Sequence, residues 1–158
     1  MVIHTPDTDV LLIALAVSTN IDANLFIRTG VKNNARIISI TKVIESIKIT
    51  YDLDNVDLVV KALLSLHAFT GCDTTSAFCG KGKVKPLKTM LKNSSYINAF
   101  AVVGNEPEIL ESNFQILKQF VCDMYGHVCD STDMLRYRLY SSRQGKLEAK
   151  SIPRARIV

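Results

Sequence analysis

The chain has 158 residues, the length of one domain, and its 47% hydrophobic content supplies enough apolar material for a core, which excludes disorder throughout. The longest apolar run, Val10 to Val17, is far shorter than the ~18 residues of a membrane span, so a soluble chain without a membrane partner is expected. Net charge is only +4, but twelve of the nineteen basic residues crowd into Lys81–Lys92 and Arg136–Arg156, and those segments hold a single acid, Glu148. Such polarity suits a polyanion, and it suits a solvated basic face equally.

In chain order, residues 2–4 read as a short buried strand stopped by Thr5-Pro6, and Asp7 to about Ser18 as an apolar helix with acids in its first turn. "LFIRTG" and "ARIISI" are β-rich runs on either side of Gly30–Asn34, which predicts a hairpin or two edge strands. Thr41 is placed to cap a short helix, "KVIESI". Val56 to Phe69 has helical periodicity and ends at Gly71. A helix is predicted from Val84 to Lys92, with Pro86 in its first turn, where the missing N–H is harmless. "SYINAFAVVG" is ambiguous between strand and helix. Glu108 to Tyr125 is strongly amphipathic, Thr132 to Ser141 forms one more helix, and Arg143 to Val158 has no period.

Three features carry candidate chemistry. Asp7 and Asp9 stand two apart at a strand-to-helix junction, the rim where α/β folds collect ligands, although the helix dipole alone favours acids there. Asp73 follows Gly71 at a helix end, where a negative charge is disfavoured unless a cation is near; a turn aspartate bonding its own backbone is the alternative. Gly80-Lys81-Gly82-Lys83 precedes a helix and offers backbone N–H groups and lysines suited to a phosphate, though it lacks P-loop spacing and reads equally as a polar turn.

Cys72/Cys79 and Cys122/Cys129 repeat a seven-residue step that matches no zinc knuckle, so reduced thiols are expected. His67 beside Cys72 reads as a core or surface histidine rather than half of a nucleophile pair.

The order strand, Asp-x-Asp, helix, hairpin, helix, Gly-Cys-Asp, six residues, Gly-x-Gly, helix resembles the later half of the catalytic domain of flap endonucleases and related PIN-like 5′-nucleases, over residues 2–93. The resemblance implies a partial PIN-like three-layer α/β/α domain (1–93), followed by a helical extension (94–142) and a loose basic tail (143–158). It implies Asp7, Asp9 and Asp73 as ligands of Mg²⁺ or Mn²⁺. Gly80, Lys81, Gly82 and Lys83, with Lys85 and Lys88, would be the loop that grips nucleic acid, DNA in that family; an intracellular location is expected because "MVIHTPDTDV" carries no mark for secretion, and within the cell the nucleus. Phosphodiester hydrolysis is then expected of the complete parent protein. The family's further acids lie upstream of the Asp-x-Asp strand, at which this chain begins, so the chain alone is expected to be an inactive fragment. Lys83 replaces a proline frequent in the family. The whole chain, including "FVCDMYG" and "LRYRLYSS", also looks like the C-terminal part of large, mostly uncharacterised animal proteins of mobile-element type. The alternatives are a catalytically inactive nucleic-acid-binding module and a protein-interaction remnant.

Overall fold

The computed structural model describes residues 1–142 apart from 19, 22, 52–54, 73, 74, 76, 79, 104–108 and 130. It is a mixed α/β structure, mostly helical, that divides into two units, Met1–Leu64 and Ser65–Val158. The boundary expected at 93/94 falls inside the second unit. No helix among the described residues is long and apolar enough to cross a membrane.

The first unit is built on a three-stranded sheet, β1 (Val2–His4), β2 (Phe26–Thr29) and β3 (Arg36–Ser39), in the order β1-β2-β3. β1 ends where Thr5 donates its N–H to the Arg28 carbonyl at 3.0 Å, since Pro6 has no N–H to extend the ladder. The chain then enters α1 (Thr8–Ser18) and crosses over to lay β2 parallel to β1, a pairing that needs such a connection. β2 and β3 form a hairpin, the first of the two arrangements predicted, antiparallel, with a 3-10 turn at Lys32–Asn34. Gly30 opens the turn at φ +81°, and a Cβ there would stand 2.2 Å from the Asn34 carbonyl oxygen, so only glycine fits.

Register sorts the two faces of the sheet. Ile3, Ile27 and Ile38 align across the strands and pack with Ala14 and Leu15 of α1, Ile40 and Val43 of α2 (Ile40–Tyr51), and Val56 and Val60 of α3 (Val56–Phe69). On the opposite face, the aligned His4, Arg28 and Ile37 are all exposed, Ile37 at 65%. The first unit therefore has two layers, and the third layer of the expected α/β/α sandwich is not seen among the described residues. α2 also starts earlier than expected: Ser39 takes the cap position, accepting the Lys42 N–H at 3.4 Å, and Thr41 lies inside the helix.

The second unit gathers the end of α3 with α4 (Val84–Leu91), α5 (Ser94–Val102), α6 (Glu111–Tyr125) and α7 (Thr132–Ser142). α4, α5 and α6 pack against one another, and α7 against α6. The Phe120 ring is fully buried at the centre, with Phe100, Tyr96 and Phe69 around it at centroid distances of 4.9, 5.4 and 6.2 Å, each nearly edge-on. Such contacts contribute about 0.5–1.5 kcal/mol each beyond area burial. The ambiguous stretch is helical over Ser94–Val102 because Asn93 caps it, accepting the Ser95 N–H at 2.9 Å, and because Tyr96, Ile97, Ala99, Phe100 and Ala101 are all buried. α6 begins at Glu111 rather than Glu108, Ile109 and Leu110 lying ahead of its first turn. The basic tail 143–158 lies outside the described residues.

Candidate nucleic-acid interface

Asp7 sits at the cap position of α1. Its Oδ1 accepts the Asp9 N–H at 2.9 Å, and its own N–H donates to Thr5 Oγ1 at 3.0 Å. The two acids therefore stand where the sequence puts them, at the carboxyl end of a parallel strand, with one carboxylate oxygen engaged in capping. Asp73 lies outside the described residues, and among those described no group of three His, Cys, Asp or Glu is placed to hold a metal ion. The expected Mg²⁺ or Mn²⁺ takes one or two protein carboxylates together with substrate phosphates and waters, and of the three acids implied for it Asp7 and Asp9 stand at this strand end.

The Gly71 end of α3 is assembled more fully than the sequence suggests. The last four carbonyls of a helix lack intrahelical partners and carry partial negative charge. Here Thr70 Oγ1 donates to the Leu66 carbonyl at 2.7 Å and Thr75 Oγ1 to the Ala68 carbonyl at 2.7 Å. The Lys83 ammonium donates to the His67 carbonyl at 2.8 Å and to the Gly71 carbonyl. The cation that the dipole calls for at this helix end is thus provided by the chain itself. Gly71 allows the closure, with φ +101° and the Ala77 backbone so near that a Cβ would lie 2.4 Å from the Ala77 Cα.

Lys83 is therefore turned toward α3, while its neighbours are not. The Lys81 ammonium lies 4.5 Å from the centre of the Tyr125 ring, itself in edge contact with Phe78 at 6.5 Å. Partial burial lowers the Lys81 pKa, and the adjacent Lys85 ammonium, within hydrogen-bonding reach, pushes the same way. Lys83 occupies the cap position of α4 with no side-chain cap bond, so the first-turn amides of that helix have no side-chain acceptor there. Lys85 and Lys88 follow on α4 three residues apart, on one side of the helix. Gly80, at φ +68°, and Gly82 both have open space where a Cβ would be.

Sequence reasoning missed three participants: Lys83 as a helix-end cap sixteen residues from its acceptor, Tyr125 as the seat of Lys81, and the cysteine pair behind Tyr125. Cys122 and Cys129 are joined as a disulfide with a Cα–Cα distance of 6.1 Å, which corrects the expectation of reduced thiols for that pair. The reason is local. α6 ends in a Schellman turn, Gly126 at φ +79° donating its N–H to the Asp123 carbonyl and His127 donating to the Cys122 carbonyl, which reverses the chain and returns Cys129 to Cys122. Cys72 is half-buried, its sulfur 3.3 Å from Thr75 Oγ1, and Cys79 is outside the described residues.

No family model, no curated protein and no solved structure matches the chain.

Proposed function

We propose that the second unit binds the phosphate backbone of nucleic acid, DNA by the flap-endonuclease resemblance, through Lys81, Lys85 and Lys88 at the start of α4. The observation that carries this reading is the pairing of Lys81 and Lys85: two ammonium groups held close enough to disfavour each other's charge, beside helix amides that no side chain caps. A phosphate oxygen relieves both penalties at once, accepting from the ammonium groups and from the amides. Gly80 and Gly82 leave room for a sugar–phosphate chain to approach the backbone.

Fluorescence anisotropy with a labelled duplex tests it. Binding should weaken linearly in log–log terms with salt, and Lys81→Gln/Lys85→Gln should lower the slope by roughly 2, about one for each phosphate that a lysine neutralises. Binding unaffected by the double substitution, or none at low salt, rejects the reading.

A second reading, a metal-dependent nuclease centre holding Mg²⁺ or Mn²⁺ through Asp7, Asp9 and Asp73, is favoured by the position of Asp7 and Asp9 at the carboxyl end of β1. Labelled branched and single-stranded DNA incubated with the protein and Mn²⁺ tests it. Cleavage that persists in Asp9→Ala/Asp73→Ala removes those residues from the chemistry.

A further inference from the structure

We propose that Cys122 and Cys129 form a reversible thiol–disulfide pair whose oxidised state seats Tyr125 beneath Lys81 and so fixes the glycine–lysine loop. The Cα–Cα separation of 6.1 Å lies within the range that a disulfide spans without backbone movement, so the fold is built to close this bond. The Schellman turn between the two cysteines reverses the chain toward Cys122 through backbone hydrogen bonds that do not involve the sulfurs. Tyr125, the last residue of α6, lies between Cys122 and the Gly126 reversal, inside the closed ring. On its ring rest the Lys81 ammonium at 4.5 Å and the Phe78 edge at 6.5 Å, one on each side of Gly80 in the chain. The bond thus clamps the helix turn against which Lys81 and Phe78 rest, while Lys83 anchors the loop separately to the end of α3.

The chemistry balances with a glutathione couple. The Cys129 thiolate attacks one sulfur of oxidised glutathione, forming a mixed disulfide and expelling one glutathione thiolate. The Cys122 thiolate then attacks the Cys129 sulfur and expels the second. The protein loses two electrons and two protons, and glutathione disulfide gains both as two thiols. Both cysteines are buried, Cys129 at 4% and Cys122 at 0%; Cys129 is the entering residue because it lies outside the helices, so presenting its sulfur opens a turn, whereas exposing Cys122 would unwind α6. Reduced glutathione reverses both steps.

The redox half of the proposal stands apart from nucleic-acid binding; only an affinity readout rests on that reading. The test uses the full chain carrying Cys72→Ser and Cys79→Ser, equilibrated across a series of glutathione ratios, quenched with maleimide and followed by mass spectrometry. Amide exchange over residues 80–85 is measured at both ends of the series. The oxidised protein should be about 2 Da lighter and refuse maleimide. Its loop amides should exchange at least about threefold more slowly than in the reduced protein. Wild-type protein with peptide mapping repeats the measurement should the serine background fail to fold. Maleimide labelling of residues 122 and 129 under oxidised glutathione overturns the proposal, and so does loop exchange independent of redox state. Duplex affinity should fall several-fold on reduction. An exchange difference without duplex binding in either state upholds this proposal and sinks the nucleic-acid reading alone.

Discussion

Gly71 combines two demands that a sequence cannot display together: a left-handed φ of +101° and contact with the Ala77 backbone. Gly71→Ala should therefore cost at least about 2 kcal/mol in chemical denaturation, from strain plus displacement of the loop. Gly80→Ala, at φ +68° but with open space around it, should cost only about 1 kcal/mol, from backbone strain alone. Equal costs for the two would show that Ala77 does not close on Gly71. Lys81 gives a prediction in pH. Burial and then Lys85 lower its pKa below the 10.5 of an ordinary lysine, so the folded protein holds that proton less firmly than the unfolded chain does. Stability therefore rises with pH between the lowered value and 10.5, and below the lowered value the penalty is present in full. Nitrogen-15 titration of the Lys81 amine should find its midpoint below 10.5 and moved upward in Lys85→Gln. A midpoint unchanged by that substitution would mean that the two amines are not neighbours.

Elements were legible in proportion to how much of their signal is local. The β2–β3 hairpin, one of two arrangements predicted, follows from β-rich runs on either side of Gly30–Asn34, and α3 from a periodic apolar run that lies where the residues predict. α5 was ambiguous because "YINAFAVV" is apolar on every side; only its burial from several directions and the Asn93 cap make it a helix. The disulfide was illegible for a related reason, since two cysteines seven apart touch only if a helix ends and reverses between them, and the informative residue was Gly126. The candidate site divides in the same way. Lys81 and Lys85 are visible as basic residues beside a helix start, whereas the turning of Lys83 onto α3 depends on tertiary approach across sixteen residues. The α5–α6 contact offers its own test. The Tyr96 hydroxyl donates to Asp123 Oδ2 at 2.5 Å, and burial followed by that carboxylate raises the tyrosine pKa. Asp123 lies in the last turn of α6, where the dipole disfavours a carboxylate, so the bond offsets a local penalty. Tyr96→Phe keeps the ring against Phe120 and should lower stability by about 1–2 kcal/mol, read as a reduced urea midpoint at unchanged slope. An unchanged midpoint would show that Gln119, which donates to the other carboxylate oxygen at 2.9 Å, suffices.

At the scale of the whole molecule, the two units have separate apolar cores, one of aliphatic residues against a sheet and one of aromatic rings among helices. Yet the boundary at Leu64/Ser65 falls within α3, a single helix of 14 residues whose start packs with the first core. Its end belongs to the second, with Leu66 buried and the Phe69 ring edge-on to Phe100 at 5.4 Å. Helical segments well under ~12 residues are marginal in isolation. Expressing 1–64 and 65–158 as separate polypeptides should therefore yield fragments that each melt below the intact chain and lose helical circular dichroism beyond the sum of parts. A pair of fragments that retained the full signal would show that each core holds its share of α3 unaided. The division by compactness is thus not a division by heredity or engineering: a recombination that moved either half as a cassette would have to break a hydrogen-bonded helix at its middle, so the two halves are expected to travel, vary and be inherited as one piece.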